Sequence, residues 1–241
     1  MLIAIHASID EIPAVGWNRL AGTQPFLQHE FLAALEHAGC VGGSTGWQPQ
    51  HLTCTDDRGK LVGALPLYLK NHSWGEFVFD WAWAEAWQRA GRNYYPKLVA
   101  AVPFTPVTGS RLLVAPGAER SQIRAALINQ AIALAAERQC SSIHCLFPED
   151  AEISDWSGQG FLTREDCQFH WHNRDYQSFN DYLGTLTAQK RKKLKRERRR
   201  VREAGIGFRT RYGGELTSSE LDALYTLYAA TYLKRGHQPY L

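Results

Sequence analysis

The sequence lacks the long apolar run that a membrane-spanning helix needs. Such a helix takes about eighteen consecutive apolar residues, and even the stretch 125–136 is interrupted by Asn129 and Gln130. The first residues contain neither a basic segment nor a long apolar one, and Asp10 and Glu11 follow at once, so no signal peptide is predicted. We therefore expect a cytoplasmic protein.

Motifs for disulfides, metals and serine hydrolases are also missing. The five cysteines form an odd set with no Cys-x-x-Cys pair, which is typical of reduced thiols. His170 and His172 lie two residues apart on a predicted strand, but no third ligand accompanies them, so no metal site is predicted. No Gly-x-Ser-x-Gly motif occurs, which disfavours a serine hydrolase.

Positive charge, by contrast, is concentrated in one segment. The whole chain has a net charge of +3. Residues 190–203 hold ten Lys and Arg against Glu197 and Glu203, net +8, which leaves −5 for the remainder. Such a segment is typical of a surface that meets nucleic acid, phospholipid headgroups or a polyphosphate. A solvated helix that binds nothing is the alternative.

The order of elements predicts a mixed α/β (α+β) fold. Residues 25–36 predict a short amphipathic helix. Residues 50–55 and 60–69 predict two strands joined by the turn 56–59, whose Asp and Gly suit a hairpin. A second pair of strands is predicted at 160–164 and 167–172.

Residues 111–147 predict a strand, a loop, a helix and a strand. The helix, 119–139, would bury Ile123, Leu127, Ala131 and Ala135. Because a crossover helix joins parallel strands, we expect the strands at 111–114 and 142–147 to pair in parallel.

The last third of the chain is predicted to be helical and basic. Helices are expected at 179–186 and 187–204, the second with Thr187 as N-cap and Gly205 just beyond its end. We expect 188–204 to be one continuous, largely exposed helix. A strand at 206–212 and a helix at 218–235 then predict the opening of a further domain, which is incomplete at Leu241.

The stretch from Arg111 to Pro116, the helix after it and the stretch from Ser142 to Phe147 resemble the central motif of GNAT acyltransferases. In that superfamily a glycine-rich loop binds the pyrophosphate of acetyl-CoA at the helix N-terminus. The loop here, 117–122, has one glycine and places Glu119 where phosphate would lie. This departure argues against acetyl-CoA binding by this half.

Two further stretches narrow the resemblance. Residues 66–112 are similar to the bacterial peptidoglycan biosynthesis/recognition family, through Pro66-Leu67-Tyr68-Leu69-Lys70, Tyr94-Tyr95-Pro96-Lys97 and Pro103-Phe104-Thr105-Pro106. Residues 179–205 are similar to the segment that precedes the second GNAT-like half of FemAB-type aminoacyltransferases. The resemblance implies a GNAT-like mixed sheet with flanking helices at 1–175, a basic helical linker at 176–205, and the incomplete start of a second GNAT-like domain at 206–241.

The same resemblance implies an N-acyltransferase that transfers an acyl or aminoacyl group to an amine, either of a small molecule or of a peptidoglycan precursor. FemAB-type enzymes use aminoacyl-tRNA as the donor and ordinary GNAT members use acyl-CoA, so tRNA is a candidate partner. No tightly bound cofactor is expected. The alternative is a non-catalytic module that binds a peptidoglycan precursor or RNA.

Candidate site residues follow from chemistry and from the resemblance. Glu76 and Asp80 are the only carboxylates between Lys70 and Ala84, and either could deprotonate an acceptor ammonium if burial raised its pKa; alternatively they cap a helix or pair with Lys70. The predicted substrate-binding residues are Lys70, Ser73, Tyr95, Lys97, Thr105 and Arg111. We expect Tyr95, Lys97 and Arg111 to line one concave surface. The predicted anion- or tRNA-binding residues are Lys190, Arg191, Lys192, Lys195, Arg198, Arg199 and Arg202.

Overall fold

The computed structural model describes residues 1–117 and 119–240. Ala118, in the loop predicted to replace the phosphate-binding loop, and Leu241 lie outside the described residues. The chain divides into two compact units, one formed by residues 1–164 with Tyr240 and one formed by residues 165–239. The predicted division at 175 and 205 stays a prediction.

The first unit combines helices with two four-stranded sheets, so the predicted mixed α/β fold is confirmed. Its strands are β1 (Leu2–His6), β2 (Trp47–Pro49), β3 (His51–Thr55), β4 (Leu61–Leu65), β5 (Leu67–Lys70), β6 (Lys97–Ala100), β7 (Leu113–Val114) and β8 (Ile143–Cys145). Its helices are α1 (Ala14–Ala21), α2 (His29–His37), α3 (Trp81–Arg89), α4 (Arg120–Glu137) and α5 (Asp150–Ser157). The strand orders are β1–β3–β4–β7 and β2–β5–β6–β8.

One long hairpin runs through both sheets, and the predicted strands around residues 56–59 are confirmed. β3 pairs with β4, and β2 with β5, both antiparallel. Only Gln50 separates β2 from β3 and only Pro66 separates β4 from β5; the amide of Gln50 donates to the carbonyl of Leu67. Proline has no amide to donate to a ladder, which accounts for the break between the sheets.

Helix α4 covers the sheets and supplies much of the core. Its residues Ile123, Leu127, Ala131 and Ala135 are buried as predicted. The helix lies so close to β4 that a Cβ atom added at Gly63 would stand 2.5 Å from the Ile123 side chain. The sequence therefore needs glycine at that point of β4.

The predicted parallel pairing of the strands on either side of α4 is wrong. β7 pairs antiparallel with β4 in the first sheet, whereas β8 pairs in parallel with β6 in the second. The helix therefore crosses from one sheet to the other. The strand before α4 is also shorter than predicted, because the amides of Arg111 and Leu112 donate to the buried carboxylate of Glu152 and not to a neighbouring strand.

The predicted strands at 160–164 and 167–172 are wrong as well. Residues 161–174 form no regular element, and the side chains of Leu162 and Phe169 are almost fully exposed. Alternation of side chains favours a strand only where one face is buried, and this segment pairs with no described strand.

The second unit contains three α-helices among its described residues, α6 (Phe179–Gly184), α7 (Ala188–Glu203) and α8 (Ser218–Leu233). Thr187 caps α7 as predicted, and Gly205 follows it with φ +70°. No residue of α7 is buried, so the predicted continuous, exposed helix is confirmed. The predicted strand at 206–212 is wrong, because these residues pair with no other described strand. No described helix is both long enough and apolar enough to cross a membrane.

Candidate active site: a buried charge cluster

The most unusual chemistry of the first unit surrounds the ammonium of Lys97, at the start of β6. Its Nζ atom donates to Glu76 Oε2 at 2.8 Å, to Asp80 Oδ2 at 2.6 Å and to Ser73 Oγ at 2.9 Å. All four residues are buried. Buried charges are costly unless paired, and here one ammonium holds two carboxylates. We call Lys70, Ser73, Glu76, Asp80 and Lys97 the charge cluster.

A strained loop, residues 71–80, brings the two carboxylates inward. Gly75, Phe77 and Phe79 all have positive φ, at 80°, 60° and 50°, and bulky residues rarely adopt this conformation. The loop buries Glu76 and Asp80 while Phe79 remains 70% exposed. Backbone strain of this kind is characteristic of functional sites. Asp80 stands at the N-cap of α3 but does not cap it with its side chain, because that side chain binds Lys97.

Two tyrosines extend the cluster. The hydroxyl of Tyr94 donates to Asp80 Oδ2 at 2.7 Å, and the hydroxyl of Tyr95 lies 2.9 Å from Ser73 Oγ. Tyr94 is buried, whereas Tyr95 is partly exposed. The contacts from Lys97 through Ser73 to Tyr95 therefore form a hydrogen-bonded path from the ammonium towards the protein surface.

Lys70 ends β5 directly opposite Lys97 in the antiparallel pair of β5 and β6. Its Nζ atom donates to the carbonyl of Trp74 at 3.2 Å and lies 3.6 Å from the centre of the Trp47 ring. No carboxylate of the described residues forms a salt bridge with it. Burial, with the nearby charge of Lys97 acting in the same direction, lowers the pKa of Lys70 to about 7.

The two carboxylates differ in their affinity for protons. Burial raises the pKa of Glu76 above its usual value, although Lys97 opposes this shift. Burial also acts to raise the pKa of Asp80, but hydrogen bonds, with that from Lys97 foremost, outweigh it and leave this pKa lowered. Glu76 Oε1 and Asp80 Oδ1 are buried without a hydrogen-bond partner among the described residues. Unpaired buried acceptors are costly, so a ligand that donated to them would be stabilised.

His144 of β8 is a further titratable group beside the cluster. Its Nδ1 atom lies 4.0 Å from Asp80 Oδ2, and burial followed by the charge of Lys97 lowers its pKa to about 4. Ligand atoms of Glu76, Asp80 and His144 lie within 4.8 Å of one another, a spacing that a metal ion could bridge. However, the ammonium of Lys97 already donates to both carboxylates, so a divalent cation would have to compete with it, and these side chains suit an ammonium better.

Two predicted substrate-binding residues lie outside the cluster. The guanidinium of Arg111 is buried and donates to the carbonyls of Val107, Gly109, Ser110 and Leu146. Thr105 donates to the carbonyl of Pro103. Arg111 thus shares no hydrogen-bond partner with Lys97 or Tyr95. The hydrogen bonds of its guanidinium stabilise the backbone of the first unit.

Sequence reasoning missed His144, Tyr94 as an Asp80 partner, and Glu152. His144 reaches the cluster because β8 pairs with β6, a contact that the local pattern of residues does not reveal. Glu152 is fully buried and accepts from the amides of Arg111 and Leu112 and from the hydroxyl of Ser110. A charged residue in the first turn of a short helix resembles any surface residue in sequence, so no signal marked it.

The predicted anion-binding residues lie on α7 of the second unit. Their side chains are exposed or partly exposed. All of them except Lys190 line a groove together with apolar residues that include Phe179, Ile206 and Phe208. The guanidinium of Arg198 lies 4.2 Å from the centre of the Phe179 ring. A groove that combines basic and aromatic side chains can bind an anion that also offers a flat face.

Comparison with curated proteins found no match. Among solved structures, the chain is similar to the aminoglycoside 6'-N-acetyltransferase AAC(6')-Ih of Acinetobacter baumannii, with 18% identity and a TM-score of 0.42 over 71% of this chain and 97% of that one. It is also similar to the aminoglycoside 6'-N-acetyltransferase AAC(6')-IG of Acinetobacter haemolyticus, with 17% identity and a TM-score of 0.42 over 73% and 100%.

A match in sequence covers much more of the chain. Residues 8–241 fit the FemAB-like family, described as peptidoglycan biosynthesis/recognition. This is the family that the motifs between Pro66 and Gly205 resemble, so that prediction is confirmed. The chain belongs to the FemAB-like family.

Proposed function

We propose that the chain is an N-acyltransferase and that its charge cluster binds the acceptor amine, in particular an amine of a peptidoglycan precursor. One observation carries the proposal. Glu76 and Asp80 each give one oxygen to Lys97 and keep the other without a partner. Two unpaired carboxylate oxygens attract an ammonium, which is the resting form of the acceptor at neutral pH.

The reaction requires that this ammonium lose a proton. The neutral amine then attacks the acyl carbon, a C–N bond forms, and the C–S bond of a thioester or the C–O bond of an ester breaks. The leaving thiolate or alkoxide takes up a proton. No covalent intermediate on the protein is needed, so the cluster contributes mainly by positioning the amine and by accepting its proton.

The donor is either an acyl-CoA or an aminoacyl-tRNA. Both are polyanions, and α7 offers them an exposed basic surface. Glu119, in the loop before α4, opposes a pyrophosphate at that point of the first unit. We therefore propose α7 as the surface that binds the phosphates of the donor.

Mass spectrometry can test the proposed transfer. The chain would be incubated with a peptidoglycan stem peptide and either a set of acyl-CoA donors or a set of aminoacyl-tRNAs. We expect the mass of the peptide to rise by one acyl or aminoacyl group with one of these donor classes. A matched peptide whose amines are blocked should stay unchanged. Unchanged free-amine peptide with every donor would contradict the proposal.

A second candidate, a protein that binds RNA without turnover, is favoured by the basic and aromatic groove along α7. It predicts RNA binding whose affinity falls steeply with salt and does not change when a stem peptide is present. The transfer assay separates the two candidates, because only the first forms a product.

A further inference from the structure

The two lysines that face each other across β5 and β6 have unequal surroundings. Lys97 contacts two carboxylates and a hydroxyl. Lys70, its direct cross-strand partner, contacts one carbonyl and the face of one indole. Like charges directly opposite each other destabilise a sheet, and both residues are fully buried. The fold therefore favours a charge on one lysine only, and the carboxylates select Lys97.

We propose that Lys70 is an uncharged amine in the folded protein and that it is the group that accepts the proton from the acceptor ammonium. This proposal rests on the proposed function, and it assigns to Lys70 the role of base that the sequence suggested for Glu76 or Asp80. An amine beside a second cationic group in a desolvated site is a known way to obtain a lysine that reacts at neutral pH.

The carboxylates are less suited to that role. Asp80 accepts hydrogen bonds from Lys97 and from Tyr94, which stabilise its charged form and weaken it as a base. Glu76 is tied to Lys97 through Oε2. A neutral Lys70 accepts no hydrogen bond from Lys97 or Tyr94 in the structure, so its lone pair can accept a proton.

The charged and titratable groups that act on Lys70 are few. Glu76 and Asp80 favour its charged form, whereas Lys97 and burial oppose it, and burial is the largest influence. His72, on the loop after β5, is itself held towards its neutral form, chiefly because burial lowers its pKa. A pKa of about 7 is well matched to a base that works near neutral pH.

Lys70 lies directly beneath the loop of residues 71–80. Its amine contacts the carbonyl of Trp74, whose side chain is 39% exposed. Two protons leave the nitrogen: the acceptor ammonium gives the first to Lys70 Nζ, which releases it to solvent, and the second, lost as the C–N bond forms, is taken up by the leaving thiolate or alkoxide.

Nuclear magnetic resonance can test the protonation state without any substrate. The chain contains eight lysines, which would be labelled with carbon-13 at Cε and titrated between pH 5 and 11. We expect one signal with a midpoint below about 8, while unperturbed lysines titrate near 10.4. That signal should be absent from Lys70→Met and present in Lys60→Met, a matched variant at an exposed lysine. A midpoint of about 8 or higher for the Lys70 signal would overturn the proposal, whatever the transfer assay shows.

The pH dependence of transfer tests the catalytic role separately. In the wild type, kcat/KM should fall below a midpoint near pH 7, as Lys70 becomes protonated. Lys70→Arg places a permanent charge where the wild type has an uncharged amine and cannot accept a proton, so we expect kcat/KM to fall by at least about a hundredfold at pH 8. Equal rates for the wild type and Lys70→Arg would refute the role as base. If no transfer occurs with any donor while the titration midpoint is low, the proposed function fails and the uncharged Lys70 stands.

Discussion

The charge cluster and helix α7 use positive charge in opposite ways. In the cluster two buried lysines lie beside two buried carboxylates, and the charge of Lys97 lowers the pKa of Lys70 and opposes the rise in the pKa of Glu76. In α7 nine basic residues are exposed and a tenth, Arg191, is partly exposed, with Glu197 and Glu203 as the only acids of the helix. Buried charges interact strongly and exposed ones weakly. The comparison teaches that the charges of the first region depend on one another, whereas those of the second act separately.

The largest expected effect is the loss of stability when Lys97 of the charge cluster is replaced, compared with a matched replacement on α7. Lys97→Met leaves Glu76 and Asp80 buried without their cation, so we expect the free energy of unfolding to fall by about 3–5 kcal/mol. Lys190→Met, the matched change on α7, should alter it by less than about 0.5 kcal/mol. Urea unfolding followed by circular dichroism measures both. Similar losses in the two variants would break the comparison.

The second effect is a gain in stability, expected when Lys70 is replaced. Because the pKa of Lys70 is lowered to about 7 in the folded protein, the unfolded chain binds an extra proton between about pH 7 and 10.4, and wild-type stability should rise with pH across this window. Below pH 7 the folded protein carries the full free-energy cost of a charged, buried Lys70. Lys70→Met removes it, so this variant should be more stable than the wild type by about 1–3 kcal/mol at pH 6, and the advantage should shrink by pH 9. Urea unfolding at the two pH values would contradict this if the difference between the proteins did not change.

The third effect concerns binding by α7. Replacing Lys190, Lys192 and Lys195 together with Gln should weaken binding of RNA or polyphosphate by about tenfold or more, and should lower the slope of log affinity against log salt by roughly 2. Fluorescence anisotropy with a labelled RNA at several salt concentrations measures both quantities. The matched control is Lys60→Gln with Lys234→Gln, which should bind normally. If the salt slope were unchanged in the triple variant, α7 would be a solvated helix that does not bind the anion.

The smallest effect is expected at the start of α7. Thr187 accepts a hydrogen bond from the amide of Lys190, and Thr187→Ala should cost about 1 kcal/mol of helix stability. Because no residue of α7 is buried, the loss should reduce helical signal without changing the unfolding midpoint of the first unit. Thr187→Ser, which retains the cap, should show no loss. A lowered midpoint in Thr187→Ala would mean that α7 contributes to the stability of the first unit.

Local patterns predicted the parts of the fold that local chemistry determines. The hairpin around 56–59 has the Asp and Gly that such a turn requires, and Asp56 accepts from the amides of Arg58 and Lys60. The cap at Thr187 and the apolar face of α4 likewise follow from a few neighbouring residues. The strands at 167–172 and 206–212 failed because alternation alone does not supply a partner strand.

The candidate site was predictable in composition but not in geometry. Lys70, Ser73, Glu76, Asp80, Tyr95 and Lys97 were selected by chemistry and by resemblance, and they lie together. Which lysine would hold the carboxylates depends on the register of β5 and β6, which the sequence does not display. Arg111 was expected beside Lys97, yet its donors go to four backbone carbonyls. The roles of these candidate residues in substrate binding and catalysis stay predictions.

The central claim is that the charge cluster is where the acceptor amine reacts. Single-turnover transfer by the wild type and by Glu76→Gln, at pH 8 and with saturating donor, tests it most directly. Glu76→Gln keeps the shape of the side chain and removes the charge that would attract the ammonium, so we predict a drop of at least about a hundredfold in the transfer rate, with unchanged affinity for the donor. A folded Glu76→Gln protein that transfers at the wild-type rate would contradict the account.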